Sequence, residues 1–175
     1  MKLATDKMRV PGLLLFSLAA IAAAVVGVIE IGRGQIQDAA FTTSVRSVFL
    51  TNEISSIEIT PDQLSPKTWH YVVSEKSTLF AFREAAIRAE TKPISGHSGP
   101  VAEWTLVVHF LSGTTCRYLA SVNRLDTGDL FLTDNFYTKT ERGTYARGPS
   151  RTARLVGIAP LLMTQAPAGI LRDGA

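Results

Sequence analysis

Between Tyr137 and Arg154 the chain gathers Lys139, Arg142, Arg147, Arg151 and Arg154 beside Tyr137 and Tyr145, with Glu141 the single acid among them. Guanidinium and ammonium groups at this density can meet lipid headgroups, an acidic protein face or anionic cell-wall polymers. Lys139, Arg142, Tyr145, Arg147, Arg151 and Arg154 are therefore the expected binding patch, although arginines scattered over a hairpin and a helix start would give the same pattern. Other groups with chemical potential are more dispersed. His70, His97 and His109 have no partner at helical spacing and no adjacent cysteine, so they do not form a zinc motif. Asp126, Asp129 and Asp134 lack the alternating spacing and terminal glutamate of a calcium loop. No metal and no cofactor is expected.

Two short motifs invite an enzymatic reading. Asp126-Thr127-Gly128 resembles the triplet with which aspartic proteases set two carboxylates to share a proton. It is followed by Asp129, where those proteases carry a small residue, and preceded by Arg124 and Leu125. Asp-Thr-Gly-Asp between two strands is also ordinary turn chemistry. Gly96-His97-Ser98-Gly99-Pro100 resembles the nucleophile loop of trypsin-like proteases. However, His97 stands where an aspartate belongs, a glycine is missing, and the spacing is not that of a nucleophile elbow. A Gly- and Ser-rich loop accounts for it.

Whatever these residues do, they follow a segment that decides where they do it. Leu13 to Ile29 carries no charge and one hydroxyl, Ser17, and it comes after Lys2, Lys7 and Arg9. A bilayer core takes roughly 20 apolar helical residues, and residues 10–31 reach that length as an uncleaved signal-anchor. The competing reading is a secretory signal cut at Ala22-Ala23-Ala24, against which apolar residues continue through Val25, Val26, Val28 and Ile29. Both readings export the remainder. The basic flank places residues 1–9 in the cytoplasm and the C-terminal domain outside the inner membrane. No cysteine stands immediately after the apolar run, so a lipoprotein anchor is excluded. Cys116, the single cysteine, forms no intramolecular disulfide and falls in an apolar alternation that suits burial.

Residues 32–48 read as a juxtamembrane connector, helical in part, and residues 49–175 as one domain. A formal net charge of +3 over 175 residues is too small for a nucleic-acid-binding field. Ile57 and Ile59 mark one strand, and Trp69 to Val73 a second. Leu79, Phe82, Ala86 and Ala89 recur at helical spacing behind a cap at Ser74 or Ser77. Trp104, Leu106, Val108 and Phe110 alternate up to Ser112-Gly113, which turns the chain into Cys116, Tyr118, Ala120 and Val122. A strand from Asp129 to Thr133 and an irregular hairpin over Phe136 to Arg147 follow. Ser150 then caps a last helix carrying Leu155, Ile158 and Leu162, kinked or split in two at Pro160. This order predicts an α+β domain, a curved antiparallel sheet with one or two helices on one face.

The function expected is that of a single-pass inner-membrane protein with an extracytoplasmic, non-enzymatic interaction or assembly domain. Its expected partners are the lipid bilayer and other envelope proteins, with no nucleic acid. An exported envelope hydrolase using Asp126 or a dispersed histidine is the alternative. A ligand sensor is disfavoured, because residues 1–9 are too few for a cytoplasmic output domain.

Overall fold

The computed structural model describes residues 9–61, 68–91, 100–123, 126–134, 138–139, 145–146 and 151–165. Helix α1, Arg9–Thr51, is the first described element. Its alanines and leucines favour helix, and Pro11 falls in the first turn, where the missing amide costs nothing. Strands β1 (Ile54–Pro61) and β2 (Tyr71–Val73) lead to helix α2 (Lys76–Ile87). Then come β3 (Pro100–Phe110), β4 (Thr115–Asn123), β5 (Asp126–Thr133), the short pair β6 (Thr138–Lys139) and β7 (Tyr145–Ala146), β8 (Thr152–Leu155), and helix α3 (Ala159–Gln165). The main sheet is antiparallel, open and curved, in the order β2-β1-β3-β4-β5-β8, while β6 and β7 pair apart from it. The fold is α+β, as the order of elements predicts.

The chain divides into two compact units, Met1–Ile36 and Gln37–Ala175. In the first, α1 exposes Ile21, Val25, Val26, Val28, Ile29 and Ile31. Among the described residues it is the one helix long and apolar enough to cross a membrane, and none of its apolar window is buried.

In the second unit, the face of the sheet bearing Ile57, Ile59, Leu106, Val108, Tyr118, Ala120, Leu130, Leu132, Ala153 and Leu155 forms the core with residues of all three helices. From α1 come Phe41, Val45 and Phe49, from α2 Leu79, Phe82 and Ala86, and from α3 Leu162. Phe49 is fully buried, with ring centroids 5.7 Å from Phe82 and 5.5 Å from Phe110. The alternation read along β3 and β4 sorts the strands as expected, and the hairpin turns where Ser112-Gly113 predicts. Gly113 adopts φ 82°, and its amide donates to the Phe110 carbonyl at 2.9 Å. That left-handed conformation suits glycine.

Four local expectations need correction. Residues 32–48, expected as a partly helical connector, are helical throughout, and the compact unit begins at Gln37 rather than at 49. The cause is Phe41, Val45 and Phe49, whose helical spacing gives the sheet an apolar stripe to pack on. The residue preceding α2 is Glu75, not a serine, and it makes no side-chain cap bond. Its carboxylate instead accepts from Ser77 Oγ at 2.6 Å and Thr78 Oγ1 at 3.0 Å. Asp126, Thr127 and Gly128 lie inside β5, with Asp126 opposite Asn123, rather than in the turn. Finally, Leu155 belongs to strand β8, and α3 starts only at Ala159. Pro160 does not kink that helix, because it sits in the first turn, where proline's fixed φ is favourable.

The end of α1 and the edge of β8 are both tied down by side chains. Arg83 of α2 donates to the Leu50 and Asn52 carbonyls at 3.1 Å each, and Asn52 Nδ2 donates to the Val48 carbonyl at 2.9 Å. These donors satisfy carbonyls that a helix C-terminus leaves open. Along β8, the Thr152 amide donates to Asp38 Oδ1 of α1 at 2.7 Å. The Arg154 amide donates to the Glu90 carbonyl at 2.9 Å, and the Glu90 amide returns a bond of 2.8 Å to the Arg154 carbonyl.

Candidate functional site

The structure distributes the basic residues read from the sequence. Lys139 and Tyr145 are register partners across β6 and β7, while their side chains, together with Arg142 and Arg147, lie outside the described residues. Arg151 pairs with Asp134 through Nε at 3.3 Å and through Nη2, and its guanidinium carbon stands 6.0 Å from the Phe41 ring centroid. Arg154 is more deeply placed. Its Nε donates to Asp129 Oδ2 at 2.6 Å, a second nitrogen contacts the same oxygen, and Nη1 lies 3.6 Å from Glu90 Oε2. With its side chain 15% exposed and that of Asp129 9% exposed, this pair holds the fold. Asp129 Oδ1 also accepts from the Gly157 amide at 2.9 Å, at a turn where Gly157 has φ 72°. These two arginines therefore enter the binding patch already engaged by carboxylates.

Asp126 sits at the start of β5; its side chain, and residues 92–99 with the Gly96 to Gly99 motif, lie outside the described residues. Two histidines come together on the sheet face opposite the core. Glu58 of β1 stands between them, its Oε1 3.0 Å from His109 Nε2 and its Oε2 3.6 Å from His70 Nε2. The His109 contact lacks hydrogen-bond alignment, and among the described residues that nitrogen has no other hydrogen-bond partner. Among the described residues no group of three or more His, Cys, Asp or Glu is arranged to hold a metal ion. Cys116 is half-buried. Beside it Tyr118 lies in the core, and burial, followed by Cys116 and Asp134, pushes its phenol well above the ordinary tyrosine value.

Among the described residues a further surface feature has binding character. A groove of about 630 Å³ runs between the start of β1 and the flank of α2, lined by Glu53, Ile54, Ser55, Lys76, Phe80 and Leu111 among others. Phe80 is 64% exposed and Leu111 67% exposed. Leu50 is also exposed nearby, its carbonyl held by Arg83. β1 pairs with β2 over Ile57, Glu58 and Ile59, so among the described residues no strand lies beside residues 54–56 on that side. The signal in the sequence was phase. Phe80 is off the Leu79, Phe82, Ala86 stripe, and Leu111 breaks the alternation that ends at Phe110.

No protein-family model, curated protein or solved structure matches the chain. The functional reading therefore rests on its own geometry.

Proposed function

We propose that the protein is a single-pass inner-membrane protein, N-terminus in the cytoplasm, whose domain from Gln37 onward is an extracytoplasmic, non-enzymatic interaction module. The observation that carries this reading is the uncovered apolar surface of α1 in the first unit, where Val28 is 70% exposed and Ile31 65% exposed. Such a surface is stable when lipid covers it. The continuity of α1 supports an anchor over a cleaved signal. A cut after Ala24 would leave Val25, Val26, Val28, Ile29, Ile31 and Ile36, all exposed, on the mature product in water. Lys2, Lys7 and Arg9 ahead of the run support the orientation. The interaction role draws on the exposed Phe80 and Leu111 beside an uncovered strand segment, features that suit a partner. Tethering would raise the module's effective concentration for other membrane proteins.

The test has two parts. Alkaline phosphatase fused after Ala40 should be active and green fluorescent protein fused there should be dark. Intact mass of the membrane-extracted protein should retain Met1 or begin immediately after it. A soluble product beginning near Val25, or the opposite fusion pattern, would overturn the anchor.

A further inference from the structure

We infer that the groove between the start of β1 and α2 binds an extended peptide in which apolar side chains alternate with acidic ones. This deepens the interaction reading above and rests on it. The backbone argument comes first. β2 covers β1 from Ile57 to Ile59 and then leaves the sheet toward α2; among the described residues none pairs with residues 54–56 on that side, so an incoming strand can lie along this segment, where the register to β3 shifts between Ile54 and Ser56 and Ser55 is exposed. Strand addition supplies main-chain hydrogen bonds without regard to sequence, and pockets for alternate side chains supply the selectivity. Here Ile54, Leu79, Phe80 and Leu111 offer the apolar surface.

Charge selects the second half of the pattern. Lys76 and Arg83 line the groove against one carboxylate, Glu53. Arg83 is held on the end of α1, whereas Lys76 makes no ion pair among the described residues. A peptide carboxylate placed opposite Lys76 meets a cation with no ion-pair partner among the described residues, near the N-terminal end of α2, where negative charge is favoured and where the Glu75 carboxylate is already engaged by the Ser77 and Thr78 hydroxyls.

Full-length protein in nanodiscs would be panned against a random dodecapeptide phage library, and an enriched peptide remade with a fluorophore. Enrichment of alternating acidic and apolar sequences is expected, with affinity falling about tenfold in Lys76→Glu and more in Leu111→Ser or Phe80→Ser. All three positions are on the surface, and circular dichroism should show an unchanged fold. N-methylation of alternate peptide amides should abolish binding if a strand is added. Enrichment that ignores all three substitutions would overturn the groove and leave the interaction reading standing elsewhere on the domain. Basic or uncharged winners would overturn the charge assignment. Absence of enrichment, combined with self-association lost in Phe80→Ser or with binding to anionic vesicles lost in Lys76→Glu, would replace the peptide by a second copy or by lipid.

Discussion

Arg154 shows how a cation that looks available in sequence is committed in the fold. Its guanidinium is bound to a carboxylate with almost no solvent around either group, and removing one partner strands the other. Arg154→Leu should therefore lower stability by about 3 to 5 kcal/mol, read by urea denaturation, while Arg154→Leu combined with Asp129→Leu should recover part of that loss. Had Arg154 been a ligand contact, affinity would fall and stability would hold. Tyr118 makes a second residue-scale prediction. Its phenol is raised by burial, whereas an unfolded tyrosine loses its proton near pH 10. Below that pH both states are protonated and the contribution to stability is complete. As pH rises beyond it only the unfolded state releases the proton, so stability falls. In an alkaline titration one of the four tyrosines should ionise only together with the loss of near-ultraviolet circular dichroism, and Tyr118→Phe should remove that late phase. Neither behaviour was legible in the sequence, because Asp129 and Asp134 become partners of Arg154 and Arg151 through tertiary contacts alone.

At the scale of elements, periodicity told the truth wherever a segment has one buried face. The β3–β4 hairpin and α2 follow from alternation and helical spacing, and Gly113 marks the turn in both sequence and structure. Periodicity failed where a segment was judged by composition. Gly32, Gly34 and the glutamines suggested a connector, yet the same stretch carries Phe41, Val45 and Phe49 toward the core. Local spacing puts Leu155 in the last helix, whereas Thr152 to Leu155 pairs with Leu130 to Thr133 of β5, a long-range partnership that local spacing does not display. The helix boundary is testable by truncation. A chain beginning at Gln37 should give a dispersed amide spectrum, and one beginning at Phe49 should not fold. In the intact chain Phe49→Ala should cost about 3 to 5 kcal/mol, measured by denaturant midpoint, because three aromatic rings meet on that side chain.

For the molecule as a whole, the architecture and an apolar segment of spanning length were readable from composition and pattern, while the candidate groove was not. It is assembled from the start of β1 with Glu53 before it, α2 with Ser74 ahead of it, and the β3–β4 turn, and only its misfit residues, Phe80 and Leu111, hint at it along the chain. Domain-level behaviour should follow from α1. Extraction of the full-length protein from membranes should require detergent, whereas a chain beginning at Gln37 should remain in solution at the same ionic strength, as a sedimentation assay would show.

The two margins of the main sheet differ in a way that governs self-assembly. Along β8 the amides of Thr152 and Arg154 are spoken for by Asp38 and Glu90, so no strand can be appended there without breaking them. At the β2 margin no described strand follows. A polymer built by strand pairing needs two compatible ends on every subunit, and this sheet offers one. Two molecules meeting at that end would satisfy each other and terminate growth as a closed pair, which limits fibre formation.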